Sequence, residues 1–132
     1  MPRLHVVALG GKLPGWAEQA CAEYAKRLPR GYEVSRVNTK AEKLSSFLKG
    51  RVVALDEKGK DLTTEQFAKL LQRETAFVIG GPDGLDQKVK KDAALLLRLS
   101  TLTLPHALAQ VVLLEQIYRA ATLLTGHPYH RA

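Results

Sequence analysis

The sequence predicts an α/β fold in which a mainly parallel sheet carries helices on both faces. Short runs of β-branched and other apolar residues alternate along the chain with segments whose apolar residues recur at helical spacing. The chain has 132 residues, 45% of them hydrophobic, which is enough for the core of one domain covering residues 1–132. In such a sheet, ligands are expected at the carboxyl ends of the strands.

The first half of the chain predicts three strands and two helices. Strands are expected at 4–9, 32–37 and 51–55, and helices at 16–28 and 41–48. Gly10 and Gly11 end the first strand, and Pro29 stops the first helix because its ring is incompatible with a helix interior.

The second half opens with a helix that has a clear start signal. Thr63 and Gln66 have the spacing of a capping box, and Leu62 and Phe67 are placed to form a hydrophobic staple across it. The remaining elements are a strand at 76–79, a helical turn within 85–91, an extended segment at 98–104 and a helix at 107–124 that Pro105 precedes.

Cysteine and histidine usage limits the class of protein. The single cysteine, Cys21, excludes an intramolecular disulfide and a multi-cysteine zinc site. The four histidines do not have a metal-ligand spacing, so no metal is expected. No basic, apolar and small-residue leader is visible, so a cytoplasmic protein is expected.

Positive charge is concentrated at the start of the chain. The net charge is +7, and residues 1–51 hold ten basic and four acidic residues, a net +6. This imbalance favours a polyanionic partner such as RNA, although a solubilising surface charge explains it equally well.

Three polar or glycine-rich segments follow predicted strands, at 56–60, 80–84 and 104–106. Gly80-Gly-Pro-Asp-Gly84 matches neither a Walker A loop nor a dinucleotide-binding fingerprint. By itself the segment is explained by a tight turn that needs glycine, and the charged segment 56–60 by a surface turn.

The last predicted helix is apolar nearly all round. Its only charged residues are Glu115 and Arg119, whose i,i+4 spacing allows them to pair. A small sheet covers one side of such a helix, so the other side, with Leu113 expected to point outward, predicts a subunit interface. A membrane span is the competing interpretation, and the charged pair in mid-segment argues against it.

The C-terminal tail concentrates polar chemistry. His127, Tyr129, His130 and Arg131 fall within five residues, and His106 precedes the last helix. Histidine is the usual general base near neutral pH, arginine binds phosphate, and tyrosine stacks on bases. A frayed terminus is the alternative.

Several motifs together resemble those of the ribosomal RNA large subunit methyltransferase H family, in the SPOUT superfamily. In chain order they are Val7-Ala-Leu-Gly-Gly-Lys12, Glu23-Tyr-Ala-Lys-Arg-Leu28, Leu55-Asp-x-x-Gly-Lys60, Val78-Ile-Gly-Gly-Pro-x-Gly84-Leu85, Leu99-Ser-x-Leu-Thr-Leu-Pro-His106, Glu115-Gln-x-Tyr-Arg-Ala120 and Pro128-Tyr-His-Arg131. Each is weak alone, but the ordered set covers residues 4–131. The segment between Val37 and Arg51 is short for the family, which bears on the RNA-facing surface.

The resemblance implies a parallel sheet with a C-terminal trefoil knot, S-adenosyl-L-methionine as cofactor and a homodimer. It also implies N3-methylation of a pseudouridine in the helix 69 loop of 23S ribosomal RNA, on the assembled ribosome. Two alternatives stay open: a non-catalytic RNA-binding protein with this fold, and a SPOUT methyltransferase that acts on transfer RNA.

The resemblance also implies roles for individual residues. The cofactor contacts carried over by motif position are Leu55, Gly80, Leu99, Ser100, Thr101, Leu102, Thr103 and Leu104. Gly80 would leave room for the adenosine. Tyr129, His130 and Arg131 are expected to reach the cofactor pocket, with base recognition and deprotonation assigned to His130. His106 is the second candidate for the general base.

Overall fold

The computed structural model describes residues 3–130, and its elements alternate between strands and helices. The strands are β1 (Arg3–Leu9), β2 (Glu33–Thr39), β3 (Arg51–Asp61), β4 (Thr75–Ile79) and β5 (Leu95–Arg98). The helices are α1 (Gly15–Lys26), α2 (Thr64–Leu70), α3 (Gln87–Asp92) and α4 (His106–Leu124). A 3-10 helix (Ala41–Phe47) takes the place of the helix predicted at 41–48.

The five strands form one sheet in the order β2-β1-β4-β3-β5, and every neighbouring pair is parallel. The predicted fold class is therefore confirmed. All strands end at the same side of the sheet, here called the carboxyl edge, and begin at the opposite amino edge. Because α1 connects the end of β1 to the start of β2, it begins at the carboxyl edge and ends at the amino edge.

Hydrophobic cores lie on both faces of the sheet. Alternate β1 residues such as Leu4 and Val6 belong to the core that contains residues of α1, α2 and α4. Val7 points the other way and packs with Leu44 of the 3-10 helix. The predicted capping box holds α2 in place: Thr63 Oγ1 accepts from the Gln66 backbone N–H at 3.1 Å, and Gln66 Oε1 accepts from the Thr63 N–H at 2.9 Å.

The prediction of an extended strand at 98–104 is wrong. β5 ends at Arg98, and residues 99–104 form a loop. A strand needs a neighbouring strand to pair with, and β5 pairs only with β3. The pairing of these two strands ends where Asp61 faces Arg98, so β5 ends there too. β3 is longer than predicted. Its pairing with β5 is interrupted by a register shift between Leu55 and Lys60 and resumes at Lys60 and Asp61.

The last helix is confirmed, but its outward residue is corrected. Leu113 is fully buried in the core of its own chain, and Leu108 is an exposed leucine of α4. By length and composition α4 is capable of crossing a membrane. Its packing against α1 and α2 around a shared core instead identifies it as a core helix.

Candidate functional site

A pocket of about 540 Å³ opens at the carboxyl edge of the sheet. Its walls come from residues 55–57 of β3, where the pairing with β5 is interrupted, the turn that follows β4, the end of β5 with the loop after it, and the start of α4. This is where a parallel sheet is expected to bind ligands, and the volume lies in the range of small-molecule sites, about 300–1,000 Å³.

The pocket brings together nearly all of the predicted cofactor residues. They are Leu55, Gly80, Leu99, Ser100, Leu102, Thr103 and Leu104. Thr101 is not among the lining residues and is exposed. The pattern of three strand-end segments therefore located the pocket, although residues 99–104, predicted as part of the strand before the third segment, form a loop.

The loop at 99–104, which lines much of the pocket, carries backbone groups that have no backbone partner. Among the described residues, none of the backbone groups of 100–104 takes part in a backbone–backbone hydrogen bond. Ser100 Oγ accepts a hydrogen bond from the Leu102 N–H at 2.9 Å and so shapes the loop. The other N–H and C=O groups are free to pair with the edge of a planar heterocycle such as adenine, because backbone groups need partners.

Gly80 is required by the turn itself. A Cβ at this position would lie 2.5 Å from the backbone carbonyl carbon of Gly84, closer than real Cβ contacts. Gly84 closes the turn with an N–H bond to Gly81 O at 2.9 Å and has φ of +76°, which favours glycine. Room for a ligand is thus only part of the reason for glycine at position 80.

We expect Gly80→Ala to weaken cofactor binding by about tenfold or more, because the added methyl displaces the wall formed by the turn. Isothermal calorimetry measures the affinity, and thermal unfolding measures the accompanying loss of stability. Gly11→Ala is the matched control, since a Cβ at Gly11 meets no atom within 4 Å. Equal affinities for the two variants would remove the Gly80 turn from the binding site.

Charged side chains are among the residues that line the pocket. Asp56 lies 3.7 Å from Lys90 Nζ, and Asp83 also lines the pocket. Arg98 donates two hydrogen bonds to Asp61, at 2.8 and 2.6 Å, and these lower the pKa of the Asp61 carboxyl. The site therefore offers carboxylates to a cationic ligand and cations to an anionic one. Sequence reasoning did not single out Asp83 or Lys90, although both lie in or near segments that it did.

His106, the first residue of α4, lines the pocket. Its Nε2 lies 3.1 Å from the side-chain amide nitrogen of Gln110, one helical turn later. An amide carries a donor and an acceptor, so Gln110 accommodates either tautomer of the His106 ring. The second candidate for the general base is thus inside the pocket of its own chain.

The C-terminal tail folds back onto α4. Tyr129 donates from its hydroxyl to Glu115 Oε2 at 2.9 Å, and its ring packs on Tyr118 with centroids 4.6 Å apart. Burial, together with this bond to Glu115, raises the pKa of Tyr129 to about 12, so the hydroxyl stays protonated at neutral pH. His130 is bonded to Arg119. Arg131 lies outside the described residues.

Tyr129 and His130 do not line the pocket of their own chain. Their partner Arg119 lies thirteen residues after His106, about 20 Å further along the helix at 1.5 Å per residue. The pairing of Glu115 with Arg119 is confirmed at 2.7 Å. That the tail joins this pair depends on contacts that sequence spacing does not reveal.

Comparison with known proteins gives consistent matches. The profile of a family described as a predicted SPOUT methyltransferase matches residues 2–130. Ribosomal RNA large subunit methyltransferase H of Burkholderia thailandensis is 44% identical over 155 aligned positions, which cover 98% of this chain and 99% of the relative. Because 155 positions exceed the 132 residues of this chain, the relative has segments that this chain lacks.

Solved structures share the fold at low sequence identity. A probable methyltransferase from Bordetella pertussis is 13% identical, with a TM-score of 0.62 over 91% of this chain and 96% of that protein. The SpoU methyltransferase AviRb from Streptomyces viridochromogenes, solved in complex with AdoMet, is 15% identical, with a TM-score of 0.58 over 87% of this chain and 56% of that protein.

Proposed function

This chain belongs to the SPOUT methyltransferase family, in the group of ribosomal RNA large subunit methyltransferase H, and from that premise we propose its reaction. It transfers a methyl group from S-adenosyl-L-methionine to N3 of a pseudouridine in the helix 69 loop of 23S ribosomal RNA, on cytoplasmic ribosomes. The observation that carries the proposal is the pocket at the carboxyl edge, whose wall includes Ser100 and residues 102–104 of a loop without backbone–backbone hydrogen bonds.

The pocket residues fit this cofactor. Leu55, Leu99 and Leu104 give apolar walls for the adenosine, and the free backbone groups of the loop can pair with the adenine edge. Carboxylates of Asp56 and Asp83 lie where they can attract a sulfonium and an ammonium group. When bound, S-adenosyl-L-methionine supplies a methyl group activated by the positive sulfur.

The accepting nitrogen must lose a proton as it gains the methyl group. As the bond from N3 to the methyl carbon forms, the bond from that carbon to sulfur breaks, and the N3 proton passes to a base. His106 lines the pocket and has a partner, Gln110, that tolerates both of its tautomers. We assign the proton to His106.

Exposed apolar side chains support a homodimer. Trp16 at the start of α1 is 57% exposed, Leu108 of α4 is 37% exposed, and Leu102 of the pocket loop is 75% exposed. Both helices begin at the carboxyl edge and pack on each other. A second copy that covers these residues removes the apolar surface from water.

A two-fold dimer also explains where the tail acts. If α4 packs antiparallel to its counterpart, the tail of one chain lies beside the pocket of the other, because the two sites are at opposite parts of the same helix. The exposed Lys26 and Arg27, at the amino edge where α1 ends, are brought to that pocket in the same way. We therefore propose that Tyr129 and His130 serve the partner's pocket, together with Arg131.

Ribosome binding is expected to depend steeply on salt, and Lys26→Glu with Arg27→Glu should reduce the slope. Each lost phosphate contact lowers the slope of log K against log salt by about 0.7–0.9. The control pair, Lys69→Glu with Arg73→Glu, changes the net charge equally at exposed residues outside the basic section. Equal slopes for both variants would show that only net charge matters.

The direct test of the proposed function is mass-spectrometric mapping of ribosomal RNA after incubation of ribosomes with protein and cofactor. A methyl group at N3 of the helix 69 pseudouridine is the expected product. Methylation of transfer RNA in parallel reactions would favour the family alternative that acts on that substrate. Binding without methylation of either RNA would favour a non-catalytic RNA-binding protein.

A further inference from the structure

His130 is held by a residue that can only donate hydrogen bonds. Its Nδ1 lies 3.2 Å from Nη1 of Arg119. A guanidinium has no acceptor, so Nδ1 of His130 must be the acceptor in this contact. The ring proton is then on Nε2. A proton on Nδ1 would face the N–H of Arg119, which makes the charged imidazolium incompatible with this arrangement.

Arg119 is itself fixed in place by its neighbours. It donates two hydrogen bonds to Glu115 Oε2, at 2.9 and 2.7 Å, and lies 4.8 Å from the centroid of the Tyr129 ring. Glu115 is in turn bonded by the Tyr129 hydroxyl and, at Oε1, by Gln116 Nε2 at 2.7 Å. A guanidinium with these contacts cannot turn away to release Nδ1 without breaking the Glu115 pair.

The other ring nitrogen of His130 makes no hydrogen bond to any residue that the structure describes. Nε2 is buried, and no acceptor among the described residues lies within hydrogen-bonding distance of it. A buried donor without an acceptor is unfavourable, which favours a state in which an acceptor reaches it. The tail therefore holds a histidine whose Nε2–H lacks an acceptor among residues 3–130, and a substrate carbonyl that displaced the atoms covering Nε2 would supply one.

We infer that His130 is a hydrogen-bond donor to the target base and not the general base, and that Arg119 with Glu115 positions it by fixing its tautomer. The inference rests on the proposed function, in which the methyl-accepting N3 lies between two carbonyl groups. As N3 loses its proton, negative charge spreads onto both carbonyl oxygens. A donor aimed at one of them stabilises that charge, as in an oxyanion hole.

The tautomer is tested by long-range ¹H–¹⁵N correlation spectra of the dimer without substrate. We expect the His130 ring to carry a proton on Nε2 and none on Nδ1, because Nδ1 faces the Arg119 donor. Arg119→Met removes the group that donates to Nδ1, so a proton on Nδ1 should then become detectable. Lys69→Met, at an exposed residue of α2, is the control and should leave the proton on Nε2. A native His130 that carries its proton on Nδ1 would overturn the inference, whatever the enzyme methylates.

The donor role is tested by two variants that both lack a basic ring. His130→Gln keeps an N–H near the position of Nε2, whereas His130→Asn keeps only the acceptor near Nδ1. If His130 acts as a donor, the kcat of the Gln variant should stay within about tenfold of the native value, whereas the kcat of the Asn variant should fall about 100-fold. The acidic limb of the pH profile should be unchanged in the Gln variant.

The outcomes separate this inference from the proposed function. Equal losses in both variants, with the acidic limb of the pH profile removed, would identify His130 as the base and overturn the inference while the proposed function stands. A native protein that leaves ribosomal RNA unmethylated would contradict the proposed function, and the spectra would then decide the tautomer independently.

Discussion

Removing residues 129–132 is expected to lower methyl transfer by at least 100-fold while cofactor affinity stays within a few-fold of native. The pocket walls come from β3, the turn after β4, the 99–104 loop and the start of α4, all of which form without the tail. The proposed contacts to the target base come from the tail and are lost with it. Single-turnover methylation of ribosomes and calorimetric titration of the cofactor measure the two effects.

Deletion of the tail also removes contacts that stabilise the fold, and this loss of stability must be distinguished from the loss of methyl transfer. Tyr129 packs on Tyr118 and donates to Glu115, so its loss should lower the melting temperature by a few degrees. Tyr129→Phe is the control, because it keeps the ring packing and removes only the hydroxyl. A tail-deleted protein that methylates at the native rate would exclude the tail from the site.

Complementation distinguishes a tail that acts on its own chain from one that acts on the partner. A heterodimer of the tail-deleted chain and the Gly80→Ala chain contains an intact pocket in one subunit and an intact tail in the other. If the tail serves the partner's pocket, this heterodimer recovers one complete site, and activity exceeds that of either parent. If the tail serves its own chain, no complete site exists and activity stays low.

The sequence predicted local features well. The capping box of Thr63 and Gln66 and the pairing of Glu115 with Arg119 depend on residues three or four apart, so their spacing is sufficient. The pocket at the carboxyl edge was predicted because strand ends in a parallel sheet converge, which requires only the fold class and the strand positions. That this pocket binds the cofactor came from the family resemblance and stays a prediction.

The features that the sequence did not predict are non-local. Residues 98–104 alternate like a strand, but whether they form one depends on a partner, and the β3 ladder ends at Asp61. Leu113 was expected outward because α4 is apolar nearly all round, so periodicity cannot distinguish its covered side from its exposed side. The close contact between the Gly84 backbone and the position that a Cβ of residue 80 would occupy also requires glycine at position 80. This contact is visible only in three dimensions.

If the chain forms the proposed dimer, Leu108→Glu is expected to convert it to a monomer and to abolish methylation with it. A carboxylate placed in an apolar interface without a partner costs about 3 kcal/mol or more, which weakens association by over 100-fold. The fold should tolerate the change, because Leu108 is part of neither hydrophobic core. Light scattering at micromolar concentration measures the mass, and ribosome methylation measures the activity.

Ala41→Glu is the matched control, because this exposed residue begins the 3-10 helix on the opposite face of the sheet. It adds the same charge and should leave both mass and activity unchanged. If the partner's tail completes the site, Leu108→Glu should lose both the dimer and the methylation activity while it keeps its affinity for the cofactor. A monomeric Leu108→Glu that methylates at the native rate would show that one chain contains the whole site, and His130 would then have to reach its own pocket about 20 Å along α4.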